Sequence, residues 1–279
     1  MNHFTFNGKF YGLSEPVIGS ANRGLRYGDG LFETMKMLNG DIIQQADHFE
    51  RLWNGLDVLQ FEKPGLFTKG NLITAIKKLA KKNNHEAAAR VRLNIFRGDG
   101  GLYDAVNNIP NYIIETWPLQ DNSGLWNSNG LVVGIFEEAK KSCDILSNIK
   151  HNNYLPYVLA ALKAKKEKWN DAIVLNQFER IADSTIANVF LVKDEIISTP
   201  ALSEGCVAGI MRKSLINYCC KNSITCKETT ITTEDIMNAD EVFLTNSINN
   251  IRWVQRIGNA VFGNEFTQKI YTSFTPTIC

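Results

Sequence analysis

Three segments of the chain carry residue types that together could do chemistry on an amine. Lys150 stands in a polar turn just ahead of an apolar predicted helix, Asp183 follows in a second polar segment, and residues 205–212 form a glycine-rich predicted helix start. A lysine amine can form an imine, a carboxylate can keep a pyridine nitrogen protonated, and the free amides of a helix start can bind a phosphate. A lysine, an acid and a helix start, in this order, are what a pyridoxal-phosphate site needs.

The surroundings of Lys150 distinguish it from an ordinary surface lysine. Most lysines are solvated cations, but Ile149 and Leu155 bracket this polar turn with apolar residues. Such a setting favours a semi-buried amine, and burial makes an amine available for imine formation because it disfavours the charged form. Lys150 is therefore the first candidate for a catalytic residue.

The composition favours an ordinary soluble enzyme without a polyanionic partner. The 279 residues suffice for one large or two typical domains, and 30 basic residues balance 29 acidic ones, so nothing electrostatic indicates nucleic acid or an anionic membrane. No apolar run approaches the roughly 20 residues that span a bilayer, and the first residues do not form a signal sequence. The six cysteines include no C-x-x-C pair, and the four histidines have no helical metal-ligand spacing. We therefore expect reduced thiols, a cytoplasmic location and no metal site.

The elements of the first half are predicted to be hairpins followed by helices and a second pair of strands. Asn7-Gly8 and Asn39-Gly40 are dipeptides typical of tight hairpin turns. Apolar residues recur at a helical period from Asp47, a plausible helix cap, and again from Leu72. The predicted strands of this half cover residues 4–11, 31–37, 42–44, 88–96 and 112–117.

Residues 119–130 are rich in turn formers and resemble a linker. We therefore expect one domain over residues 1–118 and a second over 131–279 that carries Lys150. A helix is predicted over residues 154–168. Its inward face is expected to consist of Leu155, Val158, Leu159 and Leu162. The other predicted elements of this half are strands at 131–136, 172–176, 181–182, 189–192, 196–198, 241–245 and 253–257 and helices at 209–220 and 234–239. Mixed elements with hairpin-linked strands indicate an α+β fold rather than a doubly wound sheet.

Four segments in a fixed order resemble the class IV aminotransferases, the pyridoxal-phosphate enzymes of the D-amino-acid and branched-chain aminotransferase fold. The resemblance extends from about Asn7 to about Ile257. It implies a two-domain fold, with an N-terminal α/β layer domain and a barrel-like C-terminal domain, and a homodimer whose neighbouring subunit completes each pocket. The segments are residues 22–34 (Asn-Arg-Gly-Leu-Arg-Tyr-Gly-Asp-Gly-Leu-Phe-Glu-Thr), 48–52 (His-Phe-Glu-Arg-Leu), 147–155 (Ser-Asn-Ile-Lys-His-Asn-Asn-Tyr-Leu) and 241–247 (Glu-Val-Phe-Leu-Thr-Asn-Ser).

The resemblance assigns roles to residues that match the family's motifs. Lys150 would form the Schiff base with the cofactor and then move protons at the substrate carbon. Asp183 stands where the family most often has glutamate, so the acid beside the pyridine nitrogen would be one methylene shorter. Tyr154 either contacts the cofactor's phenolic oxygen or packs on the core.

Phosphate and substrate ligands also follow from the resemblance. The phosphate would be held by Arg51, by the backbone of Ile210 and Met211, and by Ser247. Met211 stands where most of the family's aminotransferases have threonine, so a hydroxyl ligand is missing there. The substrate-side candidates are Phe32, Arg92 and Arg97, and the sequence does not choose which arginine binds a carboxylate.

The sequence does not decide which of two reactions known for this fold the chain catalyses. Met211, the pair Lys150-His151 and the run 97–101 resemble the family's aminodeoxychorismate lyases, so the first hypothesis is a lyase that converts 4-amino-4-deoxychorismate to 4-aminobenzoate and pyruvate. The pair Phe32-Glu33 and Tyr154 resemble branched-chain transaminases, which makes an amino-acid transaminase using 2-oxoglutarate or pyruvate the second hypothesis, with D-amino-acid specificity less favoured. The departures at Asp183 and Met211 leave a non-catalytic homologue as a third.

Overall fold

The computed structural model describes residues 2–278, and these divide into two compact units. Unit 1 contains the described residues up to Ser123 together with Ile149–Asn153, and unit 2 contains Gly124–Asn148 and the described residues from Tyr154 onward. No helix among residues 2–278 is long and apolar enough to cross a membrane.

Unit 1 is a six-stranded antiparallel sheet covered on one face by two helices. The strand order is β2-β1-β6-β5-β3-β4. The core lies between the sheet and α2 and α3, because these helices turn an apolar face toward it. The elements are β1 (His3–Phe6), β2 (Lys9–Gly12), α1 (Arg23–Tyr27), β3 (Gly30–Leu38), β4 (Asp41–Ile42), α2 (Gln45–Val58), α3 (Lys69–Lys82), β5 (Ala88–Arg97) and β6 (Pro110–Pro118).

Unit 2 is built on a mixed sheet curled into a half-barrel. The strand order is β12-β11-β10-β13-β14-β7-β8-β9, with β15 beside β14, and the pairs of β7 with β8 and with β14 are parallel. The elements are β7 (Leu131–Lys141), α4 (Leu155–Glu167), β8 (Asp171–Asn176), β9 (Ile181–Ser184), β10 (Asn188–Lys193), β11 (Ile196–Pro200), α5 (Ile210–Lys221), β12 (Cys226–Thr229), α6 (Thr233–Met237), β13 (Glu241–Asn246), β14 (Asn250–Ile257), β15 (Ala260–Val261), α7 (Glu265–Phe274) and the 3₁₀ turns Leu202–Glu204 and Thr275–Thr277.

The α+β class and both early hairpins are confirmed. Asn39 and Gly40 have φ values of 50° and 82°, and Asn7 and Gly8 are also left-handed. Two consecutive left-handed residues make the turn whose twist matches the flanking strands, and Asn-Gly tolerates it best.

The placement of the lysine segment differs from the sequence prediction. Residues 149–153 belong to unit 1 rather than to the C-terminal domain, and the boundary between the units falls at Ser123–Gly124 inside the predicted linker. Backbone hydrogen bonds to β3 hold the lysine segment in unit 1. Residues 149–153 therefore belong to a different unit from the residues that precede and follow them in the chain.

The predicted inward face of α4 is wrong. Leu155, Val158, Leu159 and Leu162 are exposed, while the helix packs through Tyr157, Ala160 and Ala164. Two alanines in the contact allow the helix to approach β7 and β8 closely, and this leaves the leucine side outward. A smaller difference concerns α2, where Gln44 rather than Asp47 is the N-cap.

Candidate active site

The backbone of the lysine segment extends the sheet of unit 1. Phe32 N donates to Lys150 O at 2.8 Å, and Asn152 N donates to Gly30 O at 2.9 Å. The short strand β4 pairs only with the far end of β3, so the near end of β3 has an open edge for this segment. A Cβ at Gly30 would lie 2.1 Å from Ile95 O and 2.7 Å from Asn152 Nδ2, which requires glycine there. The backbone of Lys150 is thus fixed by main-chain hydrogen bonds to β3.

The Lys150 amine and the Arg92 guanidinium both lie against the ring of Phe32. Lys150 Nζ is 4.6 Å and Arg92 Cζ 4.0 Å from the ring centroid. Phe32 pairs with Asn94 and Thr34 with Arg92 in the antiparallel ladder, so Phe32 and Arg92 share one face of the sheet. These cation–π contacts bring together three of the sequence-predicted residues.

Arg97 is occupied by contacts inside unit 1. Its Nε donates to both carboxylate oxygens of Asp29 at 3.0–3.1 Å, its Nη1 donates to Asn108 Oδ1 at 2.7 Å, and its Nη2 donates to Leu59 O. The guanidinium also lies over the ring of Phe61. These acceptors occupy the buried Arg97 guanidinium, so Arg97 is not available to bind a substrate. Arg92 therefore remains the candidate for binding a substrate carboxylate.

Arg51 forms a bidentate ion pair that the sequence did not predict. Its Nε and Nη2 donate to the two oxygens of Glu33 at 2.8 and 2.6 Å, and His48 Nδ1 lies 2.7 Å from Glu33 Oε2. Burial raises the pKa of Glu33, but the Arg51 charge and the His48 hydrogen bond outweigh it and lower the pKa to about 2. Glu33 therefore stays ionised and orients the guanidinium.

The carboxylate of Asp183 lies at the centre of a buried network in unit 2. Lys141 Nζ donates to Oδ2 at 3.1 Å, Val207 N donates to Oδ2 at 3.0 Å, and the Tyr157 hydroxyl is 2.9–3.0 Å from both oxygens. Burial and the neighbouring Asp183 charge raise the pKa of Tyr157, so its hydroxyl stays protonated as a donor. Tyr154 stacks on Tyr157 with ring centroids 4.7 Å apart. Tyr154 thus lies beside Tyr157, whose hydroxyl donates a hydrogen bond to the Asp183 carboxylate.

The start of α5 has no side-chain cap. Its N-cap is Gly209, which makes no side-chain cap, and Ile210 and Met211 follow as buried residues. A Cβ at Gly209 would lie 1.8 Å from Asn188 Oδ1, so only glycine allows this approach. The amide of Val207 in the preceding loop is the one bound to Asp183, and this connects the helix start to the acid.

The end of β13 carries a buried hydroxyl, that of Thr245. Thr245 Oγ1 is buried without a hydrogen-bond partner in the structure. Thr245 lies two positions after Phe243 and so on the same face, and Phe243 packs in the same cluster as Met211. Ser247 follows in the turn, where Asn246 Oδ1 accepts from the amides of Ile248 and Asn249. Uncapped amides and an unsatisfied hydroxyl are groups that a bound phosphate would satisfy.

Most of the site residues that the sequence did not predict have partners 15–42 positions away along the chain. Glu33, His48, Lys141, Tyr157 and Thr245 were outside the predicted site. Glu33 lies on the same face of β3 as the core residues Leu31, Met35 and Met37, and this acidic residue at a core position is the one signal that could have identified it.

Comparison with known proteins shows the family of this chain. A model of the family described as amino-transferase class IV matches residues 30–257, which include Phe32, Arg51, Lys150 and Asp183. The chain belongs to the class IV aminotransferase family. Class IV aminotransferases depend on pyridoxal 5'-phosphate, so this chain is a pyridoxal-phosphate enzyme. The uncapped helix start, the orphaned Thr245 hydroxyl and the buried ionic Asp183 fit that cofactor.

Relatives within the class IV family carry different activities. The chain is 30% identical over 239 residues to the aminodeoxychorismate lyase of Vibrio harveyi, over 85% of this chain and 86% of that protein. It is 24% identical over 272 residues to the D-alanine aminotransferase of Bacillus licheniformis, over 93% and 89% of the two chains. The branched-chain aminotransferase of Thermoproteus uzoniensis has the same fold, with a TM-score of 0.89 at 22% identity over 99% of this chain and 94% of that one. The predicted fold is confirmed, and the reaction is a separate question.

Proposed function

We propose that the chain is a lyase that converts 4-amino-4-deoxychorismate to 4-aminobenzoate and pyruvate. The observation that carries this proposal is the 30% identity to the Vibrio harveyi lyase over most of both chains. The pair Lys150-His151 and the buried methionine at position 211, where a hydroxyl is common in transaminases, support the same choice.

The proposed cofactor ligands are residues that match the family's motifs. Lys150 is the attachment point, Asp183 the partner of the ring nitrogen, and Arg51, oriented by Glu33, a phosphate ligand. Phe32 and Arg92 are proposed on the substrate side. The remaining proposed cofactor ligands are Tyr154, the backbone amides of Ile210 and Met211, and Ser247.

The proposed mechanism needs one base and one fixed acid. When bound, pyridoxal phosphate supplies an electron sink next to the substrate amine. Lys150 removes the ring proton of the substrate, and Asp183 retains the proton on the cofactor's ring nitrogen. The carbon–oxygen bond to the enolpyruvyl side chain then breaks, the ring becomes aromatic, and the side chain leaves and takes up a proton as pyruvate. The two products account for every atom of the substrate.

Arg92 is proposed to bind a substrate carboxylate. The substrate is acidic, and Arg92 lies against the same Phe32 ring as Lys150, whereas Arg97 is committed to Asp29. An arginine can bind a carboxylate through two parallel hydrogen bonds, which would orient the substrate toward the lysine.

An amino-acid transaminase, with branched-chain substrates first and D-amino acids second, is the other candidate. The Phe32 ring 4.6 Å from Lys150 Nζ favours it, because an aromatic ring beside the amine suits an apolar substrate side chain. In that reaction Lys150 would move a proton between the substrate and cofactor carbons rather than trigger an elimination.

Purified enzyme is expected to release pyruvate from 4-amino-4-deoxychorismate without any amino acceptor. The measurement couples pyruvate release to lactate dehydrogenase and follows 4-aminobenzoate by its fluorescence. The parallel reaction supplies branched-chain and D-amino acids with 2-oxoglutarate or pyruvate. Amino transfer in the second reaction with no pyruvate in the first would contradict the lyase and establish the transaminase.

We also propose that the chain acts as a cytoplasmic homodimer. The four outward residues of α4 (Leu155, Val158, Leu159 and Leu162) form one apolar helix face, and such a face suits a second copy of the same chain. The five cysteines within residues 2–278 are all free thiols, as expected in a reducing compartment.

Leu159→Glu is expected to convert the dimer to a monomer because it places a charge in the middle of this face. Sedimentation velocity at matched concentrations measures the change. Leu66→Glu is the control, since Leu66 is exposed on a loop of unit 1 away from any helix face. A wild-type enzyme that sediments as an active monomer, or a dimeric Leu159→Glu variant, would exclude this interface.

A further inference from the structure

Lys141 is a buried cation to which the proposed mechanism gives no role. Its side chain is 8% exposed and that of its partner Asp183 is 3% exposed, with Nζ 3.1 Å from Oδ2. Lys141 Nζ also lies 5.1 Å from the ring centroid of Tyr157. Taking an ammonium and a carboxylate out of water is unfavourable, and an apolar pair of the same volume is often at least as stable. Fold stability alone is therefore a weak reason for this pair.

The strand that carries Lys141 is irregular where the lysine turns inward. The register of β7 with β8 shifts between Phe136 and Lys141, so the regular pairing of the two strands is interrupted there. The adjacent Lys140 points the other way and pairs with the exposed Glu179. Bulges and similar irregularities re-aim side chains and are common beside active sites. The chain thus presents two consecutive lysines, one bound to a surface acid and one to Asp183.

The contacts of Asp183 differ between its two oxygens. Oδ2 accepts from Lys141 Nζ and from Val207 N, while Oδ1 has the Tyr157 hydroxyl, whose single proton it shares with Oδ2. A carboxylate oxygen accepts two hydrogen bonds. Oδ2 is therefore saturated, and Oδ1 retains the capacity for one more donor.

We propose that Lys141 is a positioning residue of the cofactor site, which holds Asp183 by Oδ2 so that Oδ1 is presented to the protonated ring nitrogen of bound pyridoxal phosphate. This role rests on the placement of Asp183 at the ring nitrogen proposed above. Because aspartate is one methylene shorter than glutamate and has fewer rotamers, a fixed second oxygen determines where the first one points.

The test measures the dissociation constant of pyridoxal phosphate, by absorbance titration of the apoenzyme, together with thermal unfolding of the apoenzyme. Lys141→Met is expected to weaken cofactor binding about tenfold to a hundredfold, the range seen when an outer-shell partner of a bound group is removed. Lys141→Arg should restore most of the affinity because it retains the donor and the charge. Lys140→Met is the matched control and should bind as the wild type does.

A double-mutant cycle separates this role from a structural one. In an Asp183→Asn background Lys141→Met should have little further effect on the dissociation constant, since the lysine acts through the carboxylate. The double variant removes both charges and so avoids an unpaired buried ion, which keeps the cycle measurable if Lys141→Met alone folds poorly. Equal effects in both backgrounds, or wild-type affinity in Lys141→Met, would overturn the proposal.

The outcome is distinguishable from that of the proposed function. A wild-type enzyme that binds the cofactor but releases no pyruvate contradicts the lyase and leaves the Lys141 cycle interpretable. A wild-type enzyme that binds no pyridoxal phosphate contradicts the cofactor site itself, and the role of Lys141 with it.

Discussion

Lys150→Ala is expected to abolish the visible absorption of the lysine-linked cofactor and to lower turnover by about 10²–10⁴-fold, the contribution of a positioned acid–base group. The variant should still fold, because the segment is held by main-chain bonds from Phe32 N to Lys150 O and from Asn152 N to Gly30 O, which alanine retains. The contact of the ammonium with the Phe32 ring is lost, and such a contact is worth about 0.5–1 kcal/mol. Absorption spectra and turnover on whichever substrate the wild type uses are the measurements.

The control for this variant is Lys77→Ala. Lys77 forms an exposed ion pair with Asp41 on the surface of α3, and its removal should leave both spectrum and turnover unchanged. If Lys150→Ala retains the absorption and the turnover of the wild type, Lys150 is not the attachment point.

Glu33→Gln is expected to lower the free energy of unfolding by about 3–5 kcal/mol. The substitution keeps the shape of the side chain but removes the charge that faces Arg51, so the guanidinium loses its ion pair with the buried Glu33 carboxylate. One amide oxygen cannot replace two carboxylate oxygens that bind Arg51 Nε, Arg51 Nη2 and His48 Nδ1. Urea unfolding at neutral pH measures the loss, and Asp41→Asn, which removes an exposed acid, should change stability by less than about 1 kcal/mol.

The pH dependence of the Glu33 effect has a defined sign. The pKa of Glu33 is about 2 in the folded protein and 4.5 for the unperturbed group, so the unfolded state binds the proton first as pH falls. The stabilisation, roughly 3 kcal/mol for this shift, is fully present above pH 4.5 and is lost as pH falls toward 2. The difference between wild type and Glu33→Gln should therefore shrink over that window. A difference that stays constant down to pH 2 would exclude the ion pair as its cause.

Local signals predicted the parts of the fold that local chemistry determines. The Asn7-Gly8 and Asn39-Gly40 hairpins follow from turns that need two left-handed residues. The helix α7 was not predicted, because its N-terminus is stabilised from a distance. Glu241 accepts from the amides of Phe266 and Thr267, whereas Asn264 at the N-cap makes no side-chain cap hydrogen bond.

The exposed face of α4 shows the limit of periodicity. Apolar residues occupy most of its circumference, so hydrophobicity does not decide which side faces the sheet. Packing selected the smaller residues, Ala160 and Ala164, and left leucines such as Leu159 outward. A sequence that is apolar all round therefore predicts the helix but not its orientation.

The site was predictable where motifs carry it and not where it depends on tertiary pairing. Lys150 and Asp183 stand in segments that match the family's motifs. Main-chain hydrogen bonds hold the first, and a buried network holds the second. Lys141 is 42 positions from Asp183, and Arg97 is 68 from Asp29, so the sequence could neither identify the first nor exclude the second. Buried charges acquire partners across a sheet, and their roles become visible only with the strand register.

The attachment of the cofactor to Lys150 is tested most directly by borohydride reduction of the holoenzyme followed by peptide mass mapping. Reduction converts an imine to a stable amine, so the mass of the cofactor marks the lysine to which it was bound. We expect the modification on the peptide that contains Lys150 and on no other. Modification of a different lysine, such as the buried Lys141, or the absence of any modified peptide would contradict the site described above.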